Sequence, residues 1–156
     1  KIMHMAREVV NEFVDQYIDC NPRNYFKYYK SMYNAFMPDS TLIIPNASQM
    51  TSKEFAESTL DIVKRIYELK MMLLTEEEFY MQQKEILLNV VDKYWVDHID
   101  LMDQMRQSVG LVSVAQKDPV KEYTIEAYEM FKTLNRKIRM ETLKFVFSFE
   151  GLEEEE

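Results

Sequence analysis

Few side chains in this sequence have the types and spacing that chemistry needs. Its histidines are His4 and His98, and Cys20 is its one cysteine. A protein metal site gathers three or four Cys, His or carboxylate ligands at short spacings. The sequence has no C-x-x-C, no H-E-x-x-H and no E-x-x-H, and a di-iron bundle needs two E-x-x-H repeats. Metal chemistry is therefore not expected. Nucleophilic catalysis would use His98 as base with Cys20 or a serine as nucleophile, and no local spacing pairs them. His98 reads instead as a packed or interface histidine on a helical stripe with Trp95, Met102 and Arg106. The adjacent carboxylates Glu76, Glu77 and Glu78 fall in the first turn of a helix, where they complement its dipole.

Nucleotide chemistry is excluded by glycine. The chain has 2 Gly and 4 Pro among 156 residues. A phosphate-cradling loop needs several glycines close together, whereas Gly110 and Gly151 lie about forty residues apart. No cofactor is expected in this chain.

Two segments remain as candidate binding surfaces. The stretch NPRNYFKYYKSMYNAF carries Tyr25, Phe26, Tyr28, Tyr29, Tyr33 and Phe36 on nearly every side of a helix. These rings either pack small helices together or meet a partner. The loop GLVSVAQKD carries Leu111, Val112 and Val114, aliphatics that need either local packing or a partner.

The elements that position these residues follow from periodicity. Val9, Val10, Phe13, Val14, Tyr17 and Ile18 predict a helix over 2–19. Asn21 before Pro22 predicts a helix start, and Pro38 a stop. Leu42, Ile43 and Ile44 in the following connection are expected against the core. Thr51 with Glu54, then Thr75 with Glu78, each form a capping-box pattern. A helix should run from 52 to about 74 through Phe55, Leu60, Val63, Ile66, Tyr67 and Leu69, with a break near 74–75. Phe79, Ile86, Val90, Tyr94, Leu101, Met105 and Val109 predict a long helix over 76–109, about 51 Å long. Gly110 is expected as its left-handed stop. Asp118 caps, and Pro119 opens, the last helix through Tyr123, Ala127, Met130, Leu134, Ile138 and Phe145. Two long helices joined by a short loop pack antiparallel as a hairpin. The fold class is all-α: a small helical domain followed by a long antiparallel two-helix hairpin.

Charge narrows the partners. The formal net charge is −8, and five negative charges sit on Glu150, Glu153, Glu154, Glu155 and Glu156. That tail is expected to be solvated. The balance excludes an ordinary nucleic-acid binder, which shows a basic face. A single cysteine fits a reducing compartment. No apolar run reaches the roughly 18 residues of a membrane span, and no secretory signal stands at the start. Opening on Lys1 in mid-pattern, the sequence reads as a piece of a larger protein.

Residues 95–131, WVDHIDLMDQMRQSVGLVSVAQKDPVKEYTIEAYEMF, resemble the C-terminal region of SecA, the ATP-driven motor of bacterial preprotein translocation. The match needs no gaps and runs through Trp95, His98, Met102, Asp103, Arg106, Leu111, Gln116, Lys117, Asp118, Pro119, Glu122, Tyr123, Glu126, Ala127 and Phe131. Residues 86–92 (ILLNVVD) resemble the run leading to that family's Trp. The resemblance implies residues 1–20 as the end of a scaffold helix, 21–74 as a helical wing domain, 75–148 as a two-helix finger of the helical scaffold, and 149–156 as an acidic tail. It implies that Leu111, Val112, Ser113, Val114, Ala115 and Gln116 form a tip contacting the SecYEG channel and the preprotein. It implies that Trp95, His98, Asp103 and Arg106 couple to motor domains, and that Lys117, Asp118, Pro119, Glu122, Tyr123 and Glu126 are the hairpin motif. ATP and magnesium would belong to the motor domains, and the protein would work in the cytoplasm at the inner face of the plasma membrane. The sequence departs from the family pattern at Val112 and Val114, where Arg and Tyr are usual, and at Ser108, where Gly is usual. A tip without its tyrosine would grip by aliphatic contact alone, so a divergent or accessory SecA fits as well as a general one. The alternative reading is a free-standing helical interaction module, motivated by the aromatic segment.

Overall fold

The structure is a computed structural model and describes residues 1–16, 44, 46–112 and 118–148. Every regular element among them is helical: α1 (Ile2–Gln16), a short 3₁₀ turn (Ala47–Gln49), α2 (Ser52–Met71), α3 (Glu76–Val112) and α4 (Pro119–Ser148). The all-α class read from composition is the class found. The aromatic segment 25–36 and the acidic tail lie outside the described residues. No described helix is long and apolar enough to cross a membrane.

Two compact units divide the chain. The first comprises Lys1–Ile86 with Arg139–Glu156, and the second Leu87–Ile138. The core of the first unit gathers Ile2, Ala6, Val9, Val10 and Val14 from α1, Ile44 and Ala47 from the connection, Phe55, Ala56 and Val63 from α2, and Leu143, Val146 and Phe147 from α4. The spacing 2, 6, 9, 10, 14 puts one apolar stripe of α1 on that core. Arg139 of α4 reaches α1, its guanidinium 3.7 Å from Glu8 and 3.4 Å from Glu12. Tyr67 ties α2 to its neighbours. Its hydroxyl donates to Gln83 Oε1 at 2.9 Å, and its ring lies 5.2 Å from Phe79 and 6.3 Å from Phe147.

Both capping boxes form. The backbone N–H of Thr51 donates to Glu54 Oε2 at 2.8 Å, and the Glu54 N–H returns a bond to Thr51 Oγ1 at 3.3 Å. Thr75 and Glu78 repeat this at 2.9 and 3.3 Å. The break expected near 74–75 falls between the end of α2 at Met71 and the start of α3 at Glu76. Asp118 caps α4, its Oδ1 accepting from the N–H groups of Val120 at 3.1 Å and Lys121 at 3.3 Å.

Gly110 is a correction. It does not stop α3, which continues to Val112, and no described glycine has a positive φ. A lone helical glycine costs about 1 kcal/mol relative to Ala, too little to end a long helix. Ser108, in the preceding turn, donates its hydroxyl to the Met105 carbonyl at 2.8 Å and so stays within the helical pattern. Three positions read as inward-facing are exposed instead: Leu69, Leu101 and Phe145.

Truncating Phe55, fully buried in the core, to Ala should lower unfolding free energy by about 3–5 kcal/mol in chemical denaturation. The hydroxyls of Thr59 and Thr142 are buried without a hydrogen-bond partner among the described residues. Thr142→Val keeps the shape and removes the orphan group, so it should raise stability by about 1 kcal/mol. A melt that falls on this substitution would show the hydroxyl to be satisfied. The Thr75 side chain and backbone hold the Glu78 carboxyl below its ordinary pKa of 4.5. A lowered folded-state value adds stability above the ordinary carboxylate range, lost as pH falls through the folded value. Thr75→Ala should raise the Glu78 midpoint in a carboxyl NMR titration and cost about 1 kcal/mol at neutral pH.

Candidate functional site

The residues that resemblance assigns to coupling sit in the second unit. Trp95, His98, Met102 and Arg106 recur every three or four residues along α3, so their side chains follow one side of the helix. The structure brings the first two together with a residue of α4. The Trp95 and His98 rings lie 5.6 Å apart, and His98 lies 6.5 Å from Phe131. These separations are within the range for tilted aromatic contact. His98 is 9% exposed, while Trp95 keeps 47% of its surface in solvent. The histidine is packed, and the tryptophan rests on it with one face uncovered.

Asp103 and Arg106 lie one turn further along and pair with each other. Arg106 Nη2 donates to Asp103 Oδ1 at 2.7 Å, and Gln107 donates to Asp103 Oδ2 at 3.0 Å. The pair is solvent-facing and adds little to stability. It does fix where a cation and an anion stand beside the aromatic group.

Opposite pairings set the direction of the two helices within this unit. Lys137 lies over the Tyr94 ring, 6.0 Å from its centroid, while His98 faces Phe131. Moving up α3 from 94 to 98 therefore moves down α4 from 137 to 131, which is antiparallel. Among the described residues, Val90, His98, Met105 and Leu134 are the buried ones of the unit. Beside them an open groove of about 190 Å³ is lined by residues of both helices, among them His98, Leu101, Met130, Leu134 and Lys137. Lys132 bonds Glu129 at 2.7 Å, and this bond raises its pKa above the ordinary 10.5.

The tip residues divide between two groups. Leu111 and Val112 are the last residues of α3. Ser113, Val114, Ala115, Gln116 and Lys117 lie outside the described residues. Asp118 and Pro119 start α4, and the Glu122 N–H donates to the Asp118 carbonyl at 3.2 Å. Glu122 and Tyr123 are half-buried and Glu126 is exposed.

Sequence reasoning missed Phe131 as the partner of His98, although both were read as matching positions. Helical spacing relates residues on one helix, and this contact is between two. Among the described residues no three His, Cys, Asp or Glu side chains group as metal ligands. Neither the groove nor the aromatic group assembles a nucleophile, base and orienting partner. What the described residues present here is a half-exposed aromatic surface.

A family model described as the SecA wing and scaffold domain matches residues 1–150. Protein translocase subunit SecA 2 of Clostridioides difficile (strain 630) is 43% identical over 148 residues, which is 95% of this chain and 19% of that protein. SecA 1 of the same strain is 33% identical over 95% of this chain and 17% of its own length. SecA of Finegoldia magna is 32% identical over 98% of this chain and 17% of its own length. The chain thus spans less than a fifth of each of these relatives. With a match over residues 1–150 and such identity across almost its entire length, the chain belongs to the SecA wing and scaffold domain family.

Proposed function

We propose that this chain is the wing and scaffold part of a SecA-type protein-translocation motor. In this reading the residues between α3 and α4 meet the SecYEG channel and the translocating preprotein. The Trp95, His98, Asp103 and Arg106 surface couples that contact to ATP hydrolysis. ATP and magnesium act on motor domains outside this chain, at the cytoplasmic face of the membrane.

The observation that carries the reading is the half-exposed ring of Trp95 resting on His98. Leu88, Val96 and Ile99 are also exposed on α3. An apolar, aromatic surface of this kind is one that a neighbouring domain would cover. The relatives, about five times longer than the chain, have ample sequence from which such a domain could come. Beside it the Asp103–Arg106 pair offers one charge of each sign for orienting the contact. At the tip, Val112 and Val114 leave only aliphatic contact with a moving polypeptide, which suits a substrate of changing sequence because it asks for no particular hydrogen bond.

Two substitutions in the full-length protein separate coupling from gripping. Val114→Asp places a charge at the tip and should reduce preprotein translocation about tenfold or more while basal ATPase stays near its starting rate. Loss of basal ATPase with it would make the tip a determinant of folding and sink the assignment. Trp95→Ala should instead change basal ATPase several-fold, because it removes the ring from the coupling surface. The isolated chain carrying Trp95→Ala should keep its helical circular dichroism, since the ring is half exposed. An unchanged ATPase rate would remove Trp95 from the coupling path. Calorimetric titration of the chain alone with magnesium–ATP should show no binding.

A further inference from the structure

The surface that neither the tip nor the aromatic group uses is the corner between α2 and α3. Residues 69–78 read LKMMLLTEEE. Leu69, Met71, Met72 and Leu73 all stand in solvent, with Leu69 at 62%, Met72 at 78% and Leu73 at 61% exposure. Polar residues would serve equally well to end a helix, so this run of exposed aliphatics calls for a cause.

The corner is held open by its own bonds. The N–H of Met72 donates to the carbonyls of Glu68 and Leu69 at 3.2 and 3.1 Å and closes α2. Three residues on, the Thr75–Glu78 box starts α3 afresh. The inner side of the corner is already occupied by Tyr67 and Phe79, which touch edge to face, with Tyr67 also against Phe147. The exposed side chains are not part of that core.

Charge selects what could cover them. Glu76, Glu77 and Glu78 follow directly and are all exposed, so residues 69–78 carry three carboxylates against one lysine. An anionic lipid surface would be repelled by that rim. A symmetric contact with a second copy would lay the acidic turn against itself. A cationic partner gains from both features. Its apolar face meets Leu69, Met72 and Leu73, and its Lys or Arg residues approach Glu76 and Glu77. Adjacent methionines suit such a surface, since their unbranched chains adapt to differing partners.

We propose that the α2–α3 corner docks a cationic amphipathic helix belonging to another polypeptide, with its apolar face on Leu69, Met72 and Leu73 and its basic side chains toward Glu76 and Glu77. The site is separate from the tip and from Trp95, so it stands or falls independently of the function proposed above.

The test uses a fluorescein-labelled 14-residue Leu/Lys amphipathic peptide and its Leu/Glu counterpart, titrated with the full 156-residue chain by anisotropy. The cationic peptide should bind at least about tenfold more tightly than the acidic one, and more weakly as salt is added. Met72→Ser with Leu73→Ser should weaken binding about tenfold. Glu76→Gln with Glu77→Gln should weaken it less and flatten the salt dependence. Val120→Ser, at another exposed aliphatic, should change nothing. Equal binding of the two peptides, or full binding by the Met72/Leu73 variant, overturns the proposal. Self-association in sedimentation, or adsorption to phosphatidylglycerol vesicles, that is lost in that variant would assign the corner to a second copy or to lipid and overturn it equally. A photo-cross-linker at Met72 in the full-length protein that joined another part of the same polypeptide would do so too.

Discussion

The first unit depends on one junction, where α1, α2 and the end of α4 share a buried core. Val9, Val10 and Val14 belong to the same buried cluster as Leu143, Val146 and Phe147. The partly buried Arg139 adds ion pairs to Glu8 and Glu12 across the same junction. Neither α1 nor the end of α4 could bury its apolar stripe alone, since a helix of 15 residues is marginal in water without tertiary packing. Phe55 of α2 completes the set.

The second unit solves a different problem. Among its described residues the buried set is small: Val90, His98, Met105 and Leu134. The buried histidine makes tilted ring contacts with Trp95 and Phe131. Much apolar surface remains uncovered on both helices, including Leu88, Ile99, Ile125 and Tyr128.

Local chemistry was legible in the sequence, and distant chemistry was not. The Thr51–Glu54 and Thr75–Glu78 boxes and the Asp118 cap involve residues two or three apart, so spacing alone specified them. The stripe of α1 was readable for the same reason. Arg139 and Glu12 lie 127 residues apart, and no periodicity relates them. Leu69, Leu101 and Phe145 show the limit of periodicity from the other side: it finds an apolar face but not whether a neighbour covers each turn. Gly110 was misread because a lone glycine is a weak instruction when the helix on either side of it is strong. Of the candidate site, the residues were legible through a gap-free resemblance over 95–131. The contact of His98 with Phe131 needed the pairing of two helices.

The discontinuous make-up of the first unit has an evolutionary side. Residues 87–138 leave one helix of that unit and return into another, so the second unit is in effect an insertion in the first. A change in its length need not disturb the junction of α1 with the end of α4, provided that α3 and α4 grow or shrink together. Seven residues added to each keep both apolar faces nearly in phase, because two helical turns take about 7.2 residues. Helix length in the second unit and stability of the first are then separate variables, and natural selection could tune the one by whole pairs of turns while the other stays fixed.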